Sequence, residues 1–375
     1  MVLEKVVLAK CNSYQSEEVE KAVNECLNLL GFDFSKYYGK KVLLKPNVLS
    51  PHKPNEAITT NPIIIETVCK ILKKHKCKIF IGDSSFHDTA KSFEISGVKA
   101  VAEKYGKLIN FEKEEKILLE NENNHILKKI YLPKILEDVD LVINLPKLKT
   151  HSLTKMTCAV KNLFGCIPGG AKSMYHKKAH SEYLFSELLV ELYEFLKPKI
   201  KLNIVDAIVG IEGEGPGTAG DKIKTNLILA SHDALALDLI AAEVIGYKRE
   251  DVVTNKIAIK KLIAPVPIEL GSGKGTRLDY KKPKINILER KMGFLSKLLI
   301  SEAIAFDYSR CIKCGLCARN CPTKAIHLKP FPIWGRRKCI KCFCCIEGCP
   351  KNAVYKKEHF TEKLAKKLVY FMRGL

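Results

Sequence analysis

The sequence predicts an α/β protein: a mainly parallel sheet with helices on both faces, followed by a small α+β module organised by cysteine. Three observations carry this. Short apolar runs alternate with helical patterns through residues 1–260. Polar groups gather just after several of those runs. Nine of the 15 cysteines fall between Cys311 and Cys349. Alternating strands and helices imply crossover connections and hence parallel pairing.

The candidate strands, in order, are Val6–Leu8, Val42–Leu44, Ile79–Ile81, Leu141–Asn144, Leu202–Val205 and Leu227–Ala230. One intervening helix opens at Asn61-Pro62, a cap residue followed by proline at the first helical position. Another runs on from Asp233 and stops at Gly246, a residue suited to a C-terminal cap. The charged, Asn-rich stretch 112–131 interrupts the rhythm and reads as a surface insertion. The expected organisation is an α/β domain over 1–265, a Pro/Gly/Lys connector over 266–301, a cysteine module over 302–356 and an amphipathic helix over 357–375. That last helix places Phe360, Leu364, Leu368 and Phe371 at helical spacing.

Hydrophobic residues make up 46% of the 375, enough for a packed core. No apolar run approaches the ~20 residues that span a bilayer. The stretch Met1–Leu8 breaks its apolar residues with Glu4 and Lys5, unlike a signal-peptide core, so a cytoplasmic protein is expected. The formal charge is +22, which ligating thiolates would reduce. Of 63 basic residues 55 are Lys and 8 are Arg. Base reading and phosphate clamping favour Arg, so this composition disfavours nucleic acid as partner. A membrane-surface role for the last helix is likewise disfavoured against ordinary packing.

Two segments repeat at an offset of 28 residues: Cys311-x2-Cys314-x2-Cys317-x3-Cys321-Pro322 and Cys339-x2-Cys342-x2-Cys345-x3-Cys349-Pro350. This is the bacterial [4Fe–4S] spacing, in which the fourth cysteine of each run serves the other cluster. The expected cofactors are therefore two [4Fe–4S] clusters in a ferredoxin-like domain. Cluster one would take Cys311, Cys314, Cys317 and Cys349, and cluster two Cys339, Cys342, Cys345 and Cys321. A pair of zinc knots would leave the third cysteine of each run and both prolines unexplained. Cys344 has no slot in the pattern and reads as a packing residue. Cys11, Cys26, Cys69, Cys77, Cys158 and Cys166 read as reduced and mostly buried.

Ligands of open parallel sheets bind at the carboxyl ends of the strands. There the sequence puts Lys45 and Asn47, then Asp83 and Ser84, then Lys147, Lys149, Thr150 and His151, and finally Asp206. Lys161 and Asn162, earlier in the chain than Asp206, join the candidates through the longer motif that holds them. Each alone could be a solvated loop residue; their convergence makes a site, and its lysines and histidine suit an anion such as a phosphate, a carboxylate or a nucleotide. Asp83, His151 and His176 are candidates for handling protons. His176 sits in a polar stretch after Pro168-Gly-Gly170, where an exposed loop is the plainer reading. Gly215, Gly217 and Gly220 satisfy G-x-G-x-x-G, but the following segment reads as a strand, so no dinucleotide fingerprint is assigned.

Several longer motifs together resemble the family catalogued as domain of unknown function 362. They are Lys45-Pro-Asn47 with Thr59-Thr60-Asn61-Pro62, Gly82-Asp83-Ser84, Asn144-Leu-Pro-Lys-Leu-Lys149-Thr-His151, Val160-Lys161-Asn162-Leu-Phe-Gly165, Ile167-Pro-Gly169 and Asp206–Gly217, with the Asp233–Asp238 helix. The resemblance covers residues 5–265. It implies that a C-terminal two-cluster ferredoxin module is a common companion, and it implies no reaction. The expected function is an iron–sulfur redox protein whose clusters pass electrons to or from a ligand or partner protein held by the α/β domain. Two alternatives stand beside it: a non-catalytic electron carrier or adaptor, and a non-redox anion-binding protein with structural clusters.

Overall fold

The computed structural model describes residues 2–86, 88–283 and 303–357. The expected C-terminal helix lies outside the described residues. The first half of the α/β unit runs β1 (Leu3–Lys10), α1 (Ser16–Leu30), β2 (Lys41–Pro46), α2 (Pro62–Lys74), β3 (Lys78–Asp83), α3 (Thr89–Ile95), α4 (Val98–Tyr105) and β4 (Lys107–Asn110). A hairpin of β5 (Lys116–Glu120) and β6 (Lys129–Pro133) follows, then α5 (Ile135–Asp138), β7 (Leu141–Leu145), β8 (Lys147–His151) and β9 (Lys155–Thr157). The second half holds α6 (Ala159–Asn162), α7 (Gly169–Lys178), α8 (Glu182–Leu196), β10 (Ile200–Gly213), β11 (Gly220–Ser231), α9 (Ala234–Val244), α10 (Val253–Lys260) and β12 (Val266–Leu270).

One sheet runs in the order β12-β1-β11-β10-β7-β2-β3-β4, with β8 beside β10 and β9 beyond it. From β10 through β7, β2 and β3 to β4 every pairing is parallel. Only β11 on this path runs antiparallel to its neighbours β1 and β10. The central strands are continuous apolar runs because both faces are covered. Leu43, Val142 and Val205 pack into one core, and Leu44, Ile143 and Ile204 into the other. The expected caps are present. The Asn61 side chain accepts from the Ile63 amide at the start of α2, and Asp233 accepts from Leu235 and Ala236 at the start of α9. Gly246 leaves α9 at φ +81, as a left-handed cap requires.

Two expectations are corrected. Residues 112–131 are more than a surface insertion, because the β5–β6 hairpin buries Ile126, Leu127 and Ile130. Its turn is held by Glu191 of α8, which accepts from the amides of His125, Ile126 and Leu127. The stretch read as connector opens with β12, which adds to the sheet parallel to β1.

The cysteine module contains β13 (Ala303–Phe306), α11 (Leu316–Arg319), β14 (Ile326–Lys329), β15 (Phe331–Trp334), α12 (Cys344–Glu347) and β16 (Val354–Lys357). β13 pairs with β16 and β14 with β15, both antiparallel. The sequence repeat is also a backbone repeat. Left-handed residues occur at Lys313 and Lys341, Gly315 and Phe343, Lys324 and Asn352. Phe343 holds φ +58 where the first repeat has glycine, a costly conformation for a bulky residue. Its ring is buried in the small core of the module.

Candidate functional site

The structure gathers the cysteines into two sets of four. Cys311, Cys314, Cys317 and Cys349 line one small cavity. Cys321, Cys339, Cys342 and Cys345 line a second, together with Cys344. Each set draws three sulfurs from one loop and the fourth from the other half of the module. The amides of Ala325 and Ala353 donate to Cys321 Sγ and Cys349 Sγ, both at 3.1 Å, and Lys341 donates to Cys339 Sγ at 3.4 Å. Four thiols around an enclosed space, with amides aimed at sulfur, are the donor set of a cubane cluster. Cys344 is fully buried and its thiol points to the Cys342 carbonyl. Cys11, Cys26, Cys69, Cys77, Cys158 and Cys166 are all buried and free.

The strand ends build a polar crevice. Lys45 Nζ lies 2.8 Å from Asp83 Oδ1, both side chains shut away from solvent. Asp83 also accepts from the Val48 and Ser84 amides. Gly165 sits directly on this pair, and a Cβ there would collide with Asp83 Oδ1 and stand 2.5 Å from Lys45 Nζ. Lys149 donates to Asn47 Oδ1 and the Ile58 carbonyl, both at 2.8 Å. With burial first, then Lys161 and Lys147 nearby, its ammonium is pushed well below the usual lysine range. Lys172 of α7 donates to the Ser84 carbonyl, and burial lowers it to about 8. Asn162 Nδ2 donates to Asn144 Oδ1 at 2.8 Å.

The far wall of the crevice comes from the cysteine module. Glu347, at the end of α12, brings Oε1 to 3.2 Å from His151 Nε2. The contact misses hydrogen-bond alignment, and neither atom has another hydrogen-bond partner among the described residues. His151 Nδ1 accepts from the Leu153 and Thr154 amides, so the imidazole proton sits on Nε2. Burial lowers His151 to about 4. Burial would raise the Glu347 carboxyl, but His151, Lys161 and His176 outweigh it and hold it at about 2. The space between the two units is a cavity of about 60 Å³, lined by Asp83, Lys149, Lys161, Lys172, His176 and Glu347 among others.

Residues 42–243 match the family described as "Domain of unknown function (DUF362)". The chain belongs to the DUF362 family. Residues 304–327 match the "4Fe-4S binding domain", so the cysteine module of this DUF362 protein binds a [4Fe–4S] cluster. A thylakoid-associated protein of Synechocystis is 33% identical over 249 residues, covering 65% of this chain and 75% of that one. Among solved structures, a protein from Thermotoga maritima superposes with a TM-score of 0.41 at 13% identity, covering 67% of this chain and 60% of that one. The lactate racemase apoprotein from Thermoanaerobacterium thermosaccharolyticum gives 0.39 at 15% identity, covering 60% of this chain and 54% of that one. Among the described residues, no helix is long and apolar enough to cross a membrane.

Within the DUF362 unit the expected site residues divide into two groups. Asn47, Asp83, Ser84, Lys149, Lys161 and Asn162 line the cavity. Lys147 and Asp206 do not: they form a closed pair at 2.8 Å, with Tyr14 donating to Asp206 and the Asn61 amide capping it. Lys45 reaches the site only through Asp83, and Thr150 spends its hydroxyl on the Gly213 carbonyl. His176 is no exposed loop residue. It lies in α7, 3% exposed, stacked on Phe185 with ring centroids 4.3 Å apart. The Gly215–Gly217 segment closes the β10–β11 hairpin and leads into a strand, as expected, with Pro216 in the cavity wall. Lys172, Phe164 and Glu347 went unselected in the sequence. Glu347 did leave a signal: it is an acid where the first repeat carries Arg319.

Proposed function

We propose that this chain is a redox protein with two [4Fe–4S] clusters that exchange electrons with a small anionic ligand held between the DUF362 crevice and the cysteine module. Cys311, Cys314, Cys317 and Cys349 would hold one cluster, and Cys339, Cys342, Cys345 and Cys321 the other. A bound cluster supplies one-electron chemistry. The observation that carries the reading is Glu347: two residues from Cys345 and two from Cys349, it forms a wall of the ligand cavity. Lys161 lines the cavity and would meet the anion, His151 stands behind Glu347 with its Nε2–H toward that carboxylate, and Asp83 and His176 are the lining groups that could move a proton. Phe86, Phe164 and Pro216 supply the apolar part of the lining. Eight thiolates that must stay reduced to hold clusters suit a reducing, cytoplasmic setting.

A protein partner would meet the opposite side of the module. Residues 303–357 hold twelve basic and two acidic residues. Ile312 and Leu328, beside the first cysteine set, are exposed. An acidic electron-transfer protein suits that face, and its reduction rate should fall with salt.

The test is anaerobic purification followed by native mass spectrometry and electron paramagnetic resonance of the reduced protein. Two clusters, a retained anion and a signal that changes when the anion is washed out are the expected result. Two clusters whose signals ignore every small anion would favour the carrier alternative. Clusters that cannot be reduced would leave them structural.

A further inference from the structure

We propose that the crevice is a carboxylate site whose occupant in this structure is the Glu347 side chain, and that a small free carboxylate exchanges for it. The inference deepens the reading above and rests on the crevice being the ligand site. Glu347 belongs to the cysteine module, yet its carboxylate is 7% exposed among DUF362 side chains and 3.2 Å from His151 Nε2. Holding a cluster does not require an acid at this position, because its counterpart in the first repeat, Arg319, is exposed to solvent.

The seat is prepared but loosely filled. His151 is oriented by two amides on Nδ1 and offers Nε2–H as a fixed donor. Glu347 Oε1 approaches that donor without completing the bond. Thr157 Oγ1, Asn162 Oδ1 and His176 Nδ1, in the same walls, are also buried without a hydrogen-bond partner among the described residues. A carboxylate evolved only to lock the module down would close such bonds, since buried unpaired polar atoms are costly. Beside it Asn352 and Thr218 exchange two hydrogen bonds, Asn352 Nδ2 donating to the Thr218 carbonyl at 2.7 Å and the Thr218 hydroxyl to Asn352 Oδ1, and Leu153 packs against the module core.

The ligand class follows from the donors that remain. Lys149 is spent on Asn47 and Ile58, and Lys172 on Ser84. Lys161, the His151 Nε2–H and the Thr157 hydroxyl remain as donors, and the group already seated against His151 is a carboxylate, which is the ground for choosing that class over a tetrahedral phosphate. By volume, about 60 Å³ admits only a few atoms the size of a water. Occupancy would thereby be coupled to the seating of the cysteine module on the DUF362 unit.

The experiment uses full-length protein purified anaerobically with its iron, titrated calorimetrically with acetate and, separately, inorganic phosphate. Removing the internal competitor in Glu347→Ala should tighten acetate binding about tenfold or more relative to the unaltered protein. Glu347→Gln keeps the shape without the charge and should fall between. Phosphate should bind all three weakly. Equal acetate affinity in the unaltered protein and both variants, or a preference for phosphate, would overturn the proposal. If the alanine variant fails to fold, the glutamine variant decides: tighter acetate supports exchange, and no gain refutes it. Iron content and paramagnetic resonance on the same samples separate the two readings. Reducible clusters without exchange sink this inference alone, whereas exchange without reducible clusters sinks the redox reading alone.

Discussion

Asp83→Asn keeps the shape of a central crevice side chain and removes its charge. Lys45 Nζ is fully buried, 2.8 Å from Asp83, and its other hydrogen bond goes to the Pro46 carbonyl. The Val48 and Ser84 amides also donate to the same carboxylate. Asparagine has one acceptor oxygen to offer these three donors, and its own NH2 must face one of them. Removing one partner of a buried pair leaves an uncompensated charge and costs about 3–5 kcal/mol. The loss should be read from urea unfolding followed by far-ultraviolet circular dichroism at neutral pH. Adding Lys45→Met removes the orphaned ammonium, so the double variant should recover more than half of the loss. A single-variant loss below about 1 kcal/mol, in the range of exposed pairs, would refute the argument. So would a double variant no more stable than Asp83→Asn.

Four further outcomes are expected. Gly165→Ala pushes a methyl group onto the Lys45–Asp83 pair and should cost about 1–3 kcal/mol by overpacking; full stability in urea would show that the crevice can relax. His176 is lowered by burial from 6.5 to about 3, so the folded protein keeps it neutral while the unfolded chain takes up a proton near 6.5. Its contribution is complete above that pH and is lost as pH falls, at about 1.4 kcal/mol per pH unit; His176→Phe should flatten stability between pH 6.5 and 5, and an unchanged slope would contradict the burial. Cys345→Ser should lower bound iron from about eight to about four atoms per chain, whereas Cys344→Ser should leave it unchanged; equal loss in both would make Cys344 a ligand. Glu191→Gln weakens the grip on three amides of the β5–β6 turn and should cost about 1–3 kcal/mol; amide exchange at residues 125–127 should quicken.

Much of the fold was legible along the chain. The central strands are buried on both faces and so are written as unbroken apolar runs, and the caps of α2 and α9 follow from Asn61 and Asp233. The β5–β6 hairpin was hidden because its hold is tertiary, a single glutamate from α8. β12 was hidden among Pro and Gly because an edge strand needs little apolar pattern. In the crevice, residue type separated candidates from background but could not sort them. Lys147 and Lys149 are two residues apart on one strand, yet the first is sealed against Asp206 and the second opens on the cavity.

The sequence by itself determined the [4Fe–4S] spacing of the cysteine module and the polar residues that follow the central strands. Ligand spacing is a property of a short loop, and strand burial is a property of a short run. Only the tertiary structure decided that Glu347 meets His151 and that α7 carries His176 inward. Those contacts depend on how the cysteine module docks and how α7 packs on Phe185, and no local pattern records the meeting of residues so far apart in the chain.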